Sequence, residues 1–170
     1  MADAVERRPR NIDIAWDVIE ARFGAVLPAD HKELCRCFGA GEFSGYVHVY
    51  GAPGGGAASQ VADQLASLWR TLEKHPLTRD GFDPYGLYRP GGRGLTPWAT
   101  SVTAVEFYWA ADDEVSPEEW PVVAREEAGA WRCLPMSASE CLLRVLTDVT
   151  FEEFTIADQV ERPYFTPYEV

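Results

Sequence analysis

The stretch Leu27–Phe43 constrains this chain more than any other, because it holds a helix start, a helix stop and a change of hydrophobic period. Asp30 stands where a side chain accepts from the free N–H groups of a first turn, with Glu33 three residues on, as in a capping box. Leu34, Cys37 and Phe38 then share one helical face. Gly39 supplies a residue able to take positive φ just past the last turn. Beyond Gly41 the period shortens. Phe43, Gly45, Val47 and Val49 alternate with Ser44, Tyr46, His48 and Tyr50, which predicts one half-buried strand.

Before this unit, Ile12, Trp16, Ile19 and Phe23 recur at helical spacing and Gly24 follows as a stop, while residues 1–11 read as a flexible, basic leader. After it, Gly51–Ala58 reads as a flexible connection. Its glycines fit neither the G-x-x-x-x-G-K-[ST] phosphate loop nor a strand–GxGxxG–helix unit. Ser59 is placed to cap a third helix with the stripe Val61, Leu65, Leu68, Trp69 and Leu72, ended by Pro76.

Residues 75–94 carry no period and read as a long loop, functional or hiding a turn. Phe82, Tyr85, Tyr88 and the arginines Arg79, Arg89 and Arg93 are types favoured in contact surfaces; equally, such aromatics pin a loop to the body. Strands return from Leu95: Val105–Trp109, Trp120–Arg125 and Trp131–Leu134, joined by links too short for a crossover and so an antiparallel meander. Ser137-Ala-Ser-Glu140 opens a last helix as a second capping box, with Cys141, Leu142, Val145 and Leu146 on its apolar side. Residues 148–170 form an aromatic-rich extension expected to pack on the body. The order of elements predicts one α+β domain, a mainly antiparallel twisted sheet with helices packed against it.

Totals narrow the function. With 27 acids against 15 bases and a net charge of −12, the surface repels phosphates and disfavours nucleic acid; it suits a basic protein partner, or simply keeps the chain soluble and monomeric. No run of about 18 apolar residues spans a membrane, and the charged N-terminal stretch lacks an apolar signal region, so a cytoplasmic location is expected. The 4 cysteines are too few for a disulfide scaffold. Cys35 and Cys37 point to different sides of a helix, and no paired histidines accompany them, so small buried hydrophobes are the simpler reading than a zinc site.

No hydrolase elbow, zincin helix or deaminase signature is present, and the sequence points to no cofactor and no metal. His31 is expected to be exposed in a first turn. His48 shares a strand face with Tyr46 and Tyr50 and would serve as an acid or base only if a carboxylate faced it. The stronger lead is the acidic turn: Asp112, Asp113, Glu114, Glu118 and Glu119 beside Trp120 combine steering charge with an aromatic anchor. The same residues also make an ordinary solvated hairpin tip. Together with Tyr85 and Tyr88 of the 75–94 loop they form the candidate partner-binding set, with no catalytic residues named.

The order Ile19-Glu20-x-x-Phe23-Gly24-x-x-Leu27-Pro28-x-Asp30, then Leu34 to Phe38-Gly39-x-Gly41-x-Phe43, resembles the opening of the SUKH superfamily, immunity proteins related to a yeast cell-wall synthesis regulator. Val105–Trp109, Trp120–Val123 and Ser137–Leu143 resemble its later strands and closing helix, so that the likeness covers residues 12–147. The 75–94 loop and the tail beyond 148 depart from it. The resemblance implies a SUKH-like fold and a non-enzymatic binding role: an immunity protein neutralising a cognate toxin, in many members a nuclease. It implies no catalytic residues. The alternative is a regulatory or scaffold protein binding endogenous cell-envelope or signalling partners.

Overall fold

A computed structural model describes residues 4–5, 11–51, 60–127, 129–151 and 154–168. The first helix, α1, runs Trp16–Phe23 and ends on Gly24, whose φ of 92° makes the left-handed stop. Ile12 and Ile14 precede it in an irregular segment. The Ile12 amide donates to the Arg36 carbonyl at 2.9 Å. Helix α2 spans Ala29–Phe38 and stops at Gly39, with φ 78°.

The predicted capping box at Asp30 is not what forms. Pro28 occupies the N-cap with no side-chain hydrogen bond. Asp30 instead accepts from the Ser139 amide at 2.8 Å, capping a helix more than a hundred residues away, and Glu33 bonds Arg36. That second helix, α4 (Ala138–Thr147), also has its own local cap, for the Glu140 amide donates to Ser137 Oγ at 3.3 Å. Asp30 is thus a joint between α2 and α4.

The single strand predicted for residues 43–50 is a tight hairpin: β1 (Gly41–Phe43) and β2 (Val47–Val49) flank a turn with Ser44 and Gly45 at φ 53° and 60°. Helix α3 covers Val61–Lys74 and hands over at His75 to a 3-10 helix, Pro76–Phe82, which is the turn concealed in the 75–94 loop. The start of α3 lies at Gln60; the cap expected at Ser59 falls outside the described residues.

Strands β3 (Arg93–Ser101), β4 (Glu106–Asp112), β5 (Val122–Arg125) and β6 (Arg132–Leu134) form the expected meander. Pro97, which has no N–H to give a ladder, sits where the β3–β4 register shifts between Pro97 and Ala99. The tail returns as β7 (Phe165–Pro167). All seven described strands lie in one antiparallel sheet, ordered β6-β5-β4-β3-β2-β1-β7.

One face of the sheet carries the core. Phe43 packs edge-on against Phe38 of α2 at 4.9 Å, Trp98 stacks on Trp109 at 6.1 Å, and Phe107 meets Phe154 of the tail edge-on at 6.0 Å. In the C-terminal stretch Phe151, Phe154, Ile156 and Phe165 are buried, whereas Tyr164 stays half exposed. Val5, within the stretch read as a loose leader, is buried too. Among the described residues no helix is long and apolar enough to cross a membrane.

The other face carries a polar row. Cross-strand partners share a face, and the register aligns Thr166, Glu42, His48, Thr100, Glu106 and Arg125 across six neighbouring strands. This row is what the candidate site is built on.

Candidate functional site: an acidic turn and an acidic aromatic groove

The acidic turn follows β4 and contains a short 3-10 helix, Pro117–Glu119. Its members divide by what their carboxylates do. Asp113 accepts from the Tyr88 hydroxyl at 2.8 Å and from the Gly91 amide at 2.5 Å, and Asp112 accepts from the Glu114 amide at 2.9 Å. Glu118 accepts from the Ser116 hydroxyl and, at 3.3 Å, from the Ala29 amide at the start of α2. The Ser116 bond, assisted by the backbone, holds the Glu118 carboxyl below the usual range. Asp112, Asp113 and Glu118 therefore build the turn. Glu114 and Glu119 are exposed, with no hydrogen bond or ion pair of their carboxylates among the described residues. Trp120 is buried, its indole N–H bonded to the Asp112 carbonyl at 2.9 Å, so it supports the turn and offers no anchor.

Tyr88 differs from expectation in the same way. It is fully buried, stacked on Phe23 at 5.1 Å, and burial together with the Asp113 carboxylate pushes its hydroxyl far up. A residue so enclosed touches no partner; it fastens the 75–94 strap to the turn. Tyr85 remains half-buried and packs edge-on against Trp131 at 6.4 Å.

Tyr85 belongs to a second feature that the sequence pattern did not reveal. Residues 78–85 stand over the polar face of the sheet and, with the β5–β6 connection, enclose an open groove of about 1090 Å³. Its floor is the Thr100–Glu106–Arg125 part of the polar row. Arg125 organises it. Its Nε donates to Glu106 at 2.6 Å, Nη1 donates to the Gly81 carbonyl at 2.6 Å, and the guanidinium lies over Trp131 at 4.0 Å. Glu106 also accepts from the Tyr108 hydroxyl at 2.9 Å. Replacing Arg125 with Ala is expected to release the strap from the sheet and cost about 1–3 kcal/mol, seen as a lower denaturant midpoint. An unchanged midpoint would mean the strap is held elsewhere.

His48 does meet a carboxylate, through Tyr168. The Tyr168 hydroxyl donates to Glu42 at 2.9 Å and, having one proton, accepts from His48 Nδ1. Burial lowers the His48 pKa against the pull of Glu42. The network clips the residue after β7 onto the sheet.

His31, expected in solvent, is fully buried between Trp16 and Trp109, at 6.4 and 4.8 Å. Its Nε2 lies 3.6 Å from Cys35 Sγ, a thiol–imidazole pair one helical turn apart. A catalytic pair of this kind needs an accessible thiolate. Here burial drives the other way, raising the Cys35 thiol strongly and lowering His31 to about 4, so both are neutral. Cys37 is buried and Cys133 exposed on β6, far from forming a shared centre. Among the described residues no three His, Cys, Asp or Glu side chains converge as metal ligands.

No protein-family model, curated protein or solved structure matches the chain.

Proposed function

We propose that this chain is a protein-recognition domain that binds and neutralises a basic toxin domain, in the manner its resemblance to SUKH immunity proteins implies. The observation that carries the reading is the acidic turn, where Asp112, Asp113 and Glu118 are spent on internal bonds that hold Glu114 and Glu119 outward on a rigid frame. A fixed negative patch on a chain of net charge −12 steers a cationic partner and loses little side-chain frame entropy on docking. Its field raises the encounter rate; occlusion of a basic active site then silences the partner.

The test is co-purification from the native cell at low ionic strength, followed by expression of the recovered protein alone and with this chain. The expected result is a basic protein, toxic alone and harmless in the pair. A non-toxic envelope or signalling protein would support the regulatory alternative instead. Reversing Glu114 and Glu119 to Lys is expected to weaken the association about tenfold or more without unfolding the domain, as measured by titration calorimetry. Equal affinity would remove the turn from the interface.

A further inference from the structure

The groove on the polar sheet face lies apart from the acidic turn and has a character of its own. Asp80, Asp83 and Glu127 are exposed on its two walls, and their carboxylates have no hydrogen bond or ion pair among the described residues. Among the described residues Arg125 is the one cation lining it, and that charge is cancelled by Glu106. The half-buried rings of Tyr85 and Trp131 supply apolar contact beside this excess of carboxylate. At about 1090 Å³ the space lies at the upper edge of the roughly 300–1,000 Å³ of a small-molecule pocket, but it is a groove open to solvent and lacks the enclosure that buries most of a small ligand.

Arg125 shows in miniature what the groove holds. Its guanidinium is stacked on an aromatic ring while bonded to a carboxylate and a backbone carbonyl. A second guanidinium entering from outside would find the same ingredients still unused: three carboxylates and the Tyr85 ring. Planar guanidinium suits this pairing of carboxylate with aromatic surface better than a compact ammonium. We infer that the groove between residues 78–85 and 127–131 is a docking site for an extended, arginine-bearing segment of a protein partner. The inference rests on the reading of the chain as a protein-recognition domain and adds a second contact surface to it.

The experiment uses the whole chain and a short glycine–serine peptide carrying a pair of arginines, against the same peptide with citrulline at both places. Binding is followed by chemical-shift titration of the Trp131 indole. The arginine peptide is expected to move that resonance and to bind about tenfold more tightly than the neutral peptide. The double variant Asp83→Asn, Glu127→Gln should abolish most of that difference while its circular dichroism stays as in the parent. The variant Glu114→Lys, Glu119→Lys should bind the peptide as the parent does, which locates the contact in the groove. Equal binding of the two peptides, or unchanged binding by Asp83→Asn, Glu127→Gln, overturns the inference. A toxin partner that still binds while the peptide does not would discard the groove and leave the proposed function standing; peptide binding without any toxic partner would do the reverse.

Discussion

Acidification from pH 6.5 to pH 4 is expected to remove about 3 kcal/mol of folding stability through His31 alone. In the unfolded chain this imidazole takes a proton near pH 6.5, whereas burial keeps it neutral in the folded protein down to about pH 4. Between those values the unfolded state binds more protons, so stability falls as pH falls, by up to about 1.4 kcal/mol per pH unit. Well below pH 4, where the folded imidazole is protonated too, this residue takes nothing further away. The environment explains the size: His31 is completely enclosed, edge-on to Trp109 at 4.8 Å, beside a neutral thiol. The opposing pull of the Asp30 carboxylate is smaller than the cost of burying the charged ring. Urea titrations at stepped pH measure the effect, and His31→Leu should flatten the curve across this window whatever it does to overall stability. The exposed carboxylate of Glu33, held down to about 2 by Arg36, loses its stabilising charge as pH falls from about 4.5 to about 2, so it touches only the acid end of this window, and there it is screened by solvent. A parent protein equally stable at pH 6.5 and pH 4 would show that His31 is not buried neutral.

Gly94→Ala is expected to be the most damaging small substitution in the strap, costing about 3 kcal/mol or more. Gly94 has φ +153°, and a Cβ there would lie 2.5 Å from the Tyr88 nitrogen and 2.6 Å from the Leu87 carbonyl carbon. These are backbone atoms, fixed by two hydrogen bonds: the Leu95 amide to the Gly86 carbonyl at 2.8 Å and the Tyr88 amide to the Leu95 carbonyl at 3.1 Å. Making room means breaking that pairing. The damage then spreads, because Tyr88 and Gly91 both bond the Asp113 carboxylate and so hold the acidic turn. Hydrogen exchange should therefore quicken at residues 86–95 and 112–114 together. Gly92→Ala serves as the control, since its nearest neighbour would be the Arg89 carbonyl at 3.4 Å with no positive φ. If both variants melt alike, the strap is not packed as described.

What the sequence made legible was local. The stripe of α3, the cap of α4 at Ser137 and the meander from β3 to β6 each follow from residues within a few positions of one another. The α+β class follows from their order. The failures share a physical cause, which is that a distant partner outbid a near one. Asp30 had a free first turn beside it and capped α4 instead, because the tertiary packing of α2 on α4 brings the Ser139 amide to its carboxylate. The hairpin at Ser44-Gly45 was hidden by an alternation that runs on through the turn, though that dipeptide is itself a turn signal. Burial of Tyr88 and His31 has no signature in spacing. For the groove, one wall comes from residues 78–85 and the other from 127–131, joined by the Arg125–Gly81 bond, and no window of sequence holds both.

Under the proposed function, the exposed carboxylates of the acidic turn recognise a basic protein through charge. The most direct test is the dissociation constant of the purified complex followed from low to high salt. Steering by the exposed carboxylates predicts a constant that climbs steadily with salt, chiefly through slower association, and a visibly shallower dependence once Glu114 and Glu119 are reversed. A partner held equally well at every salt concentration, by parent and variant alike, would contradict it.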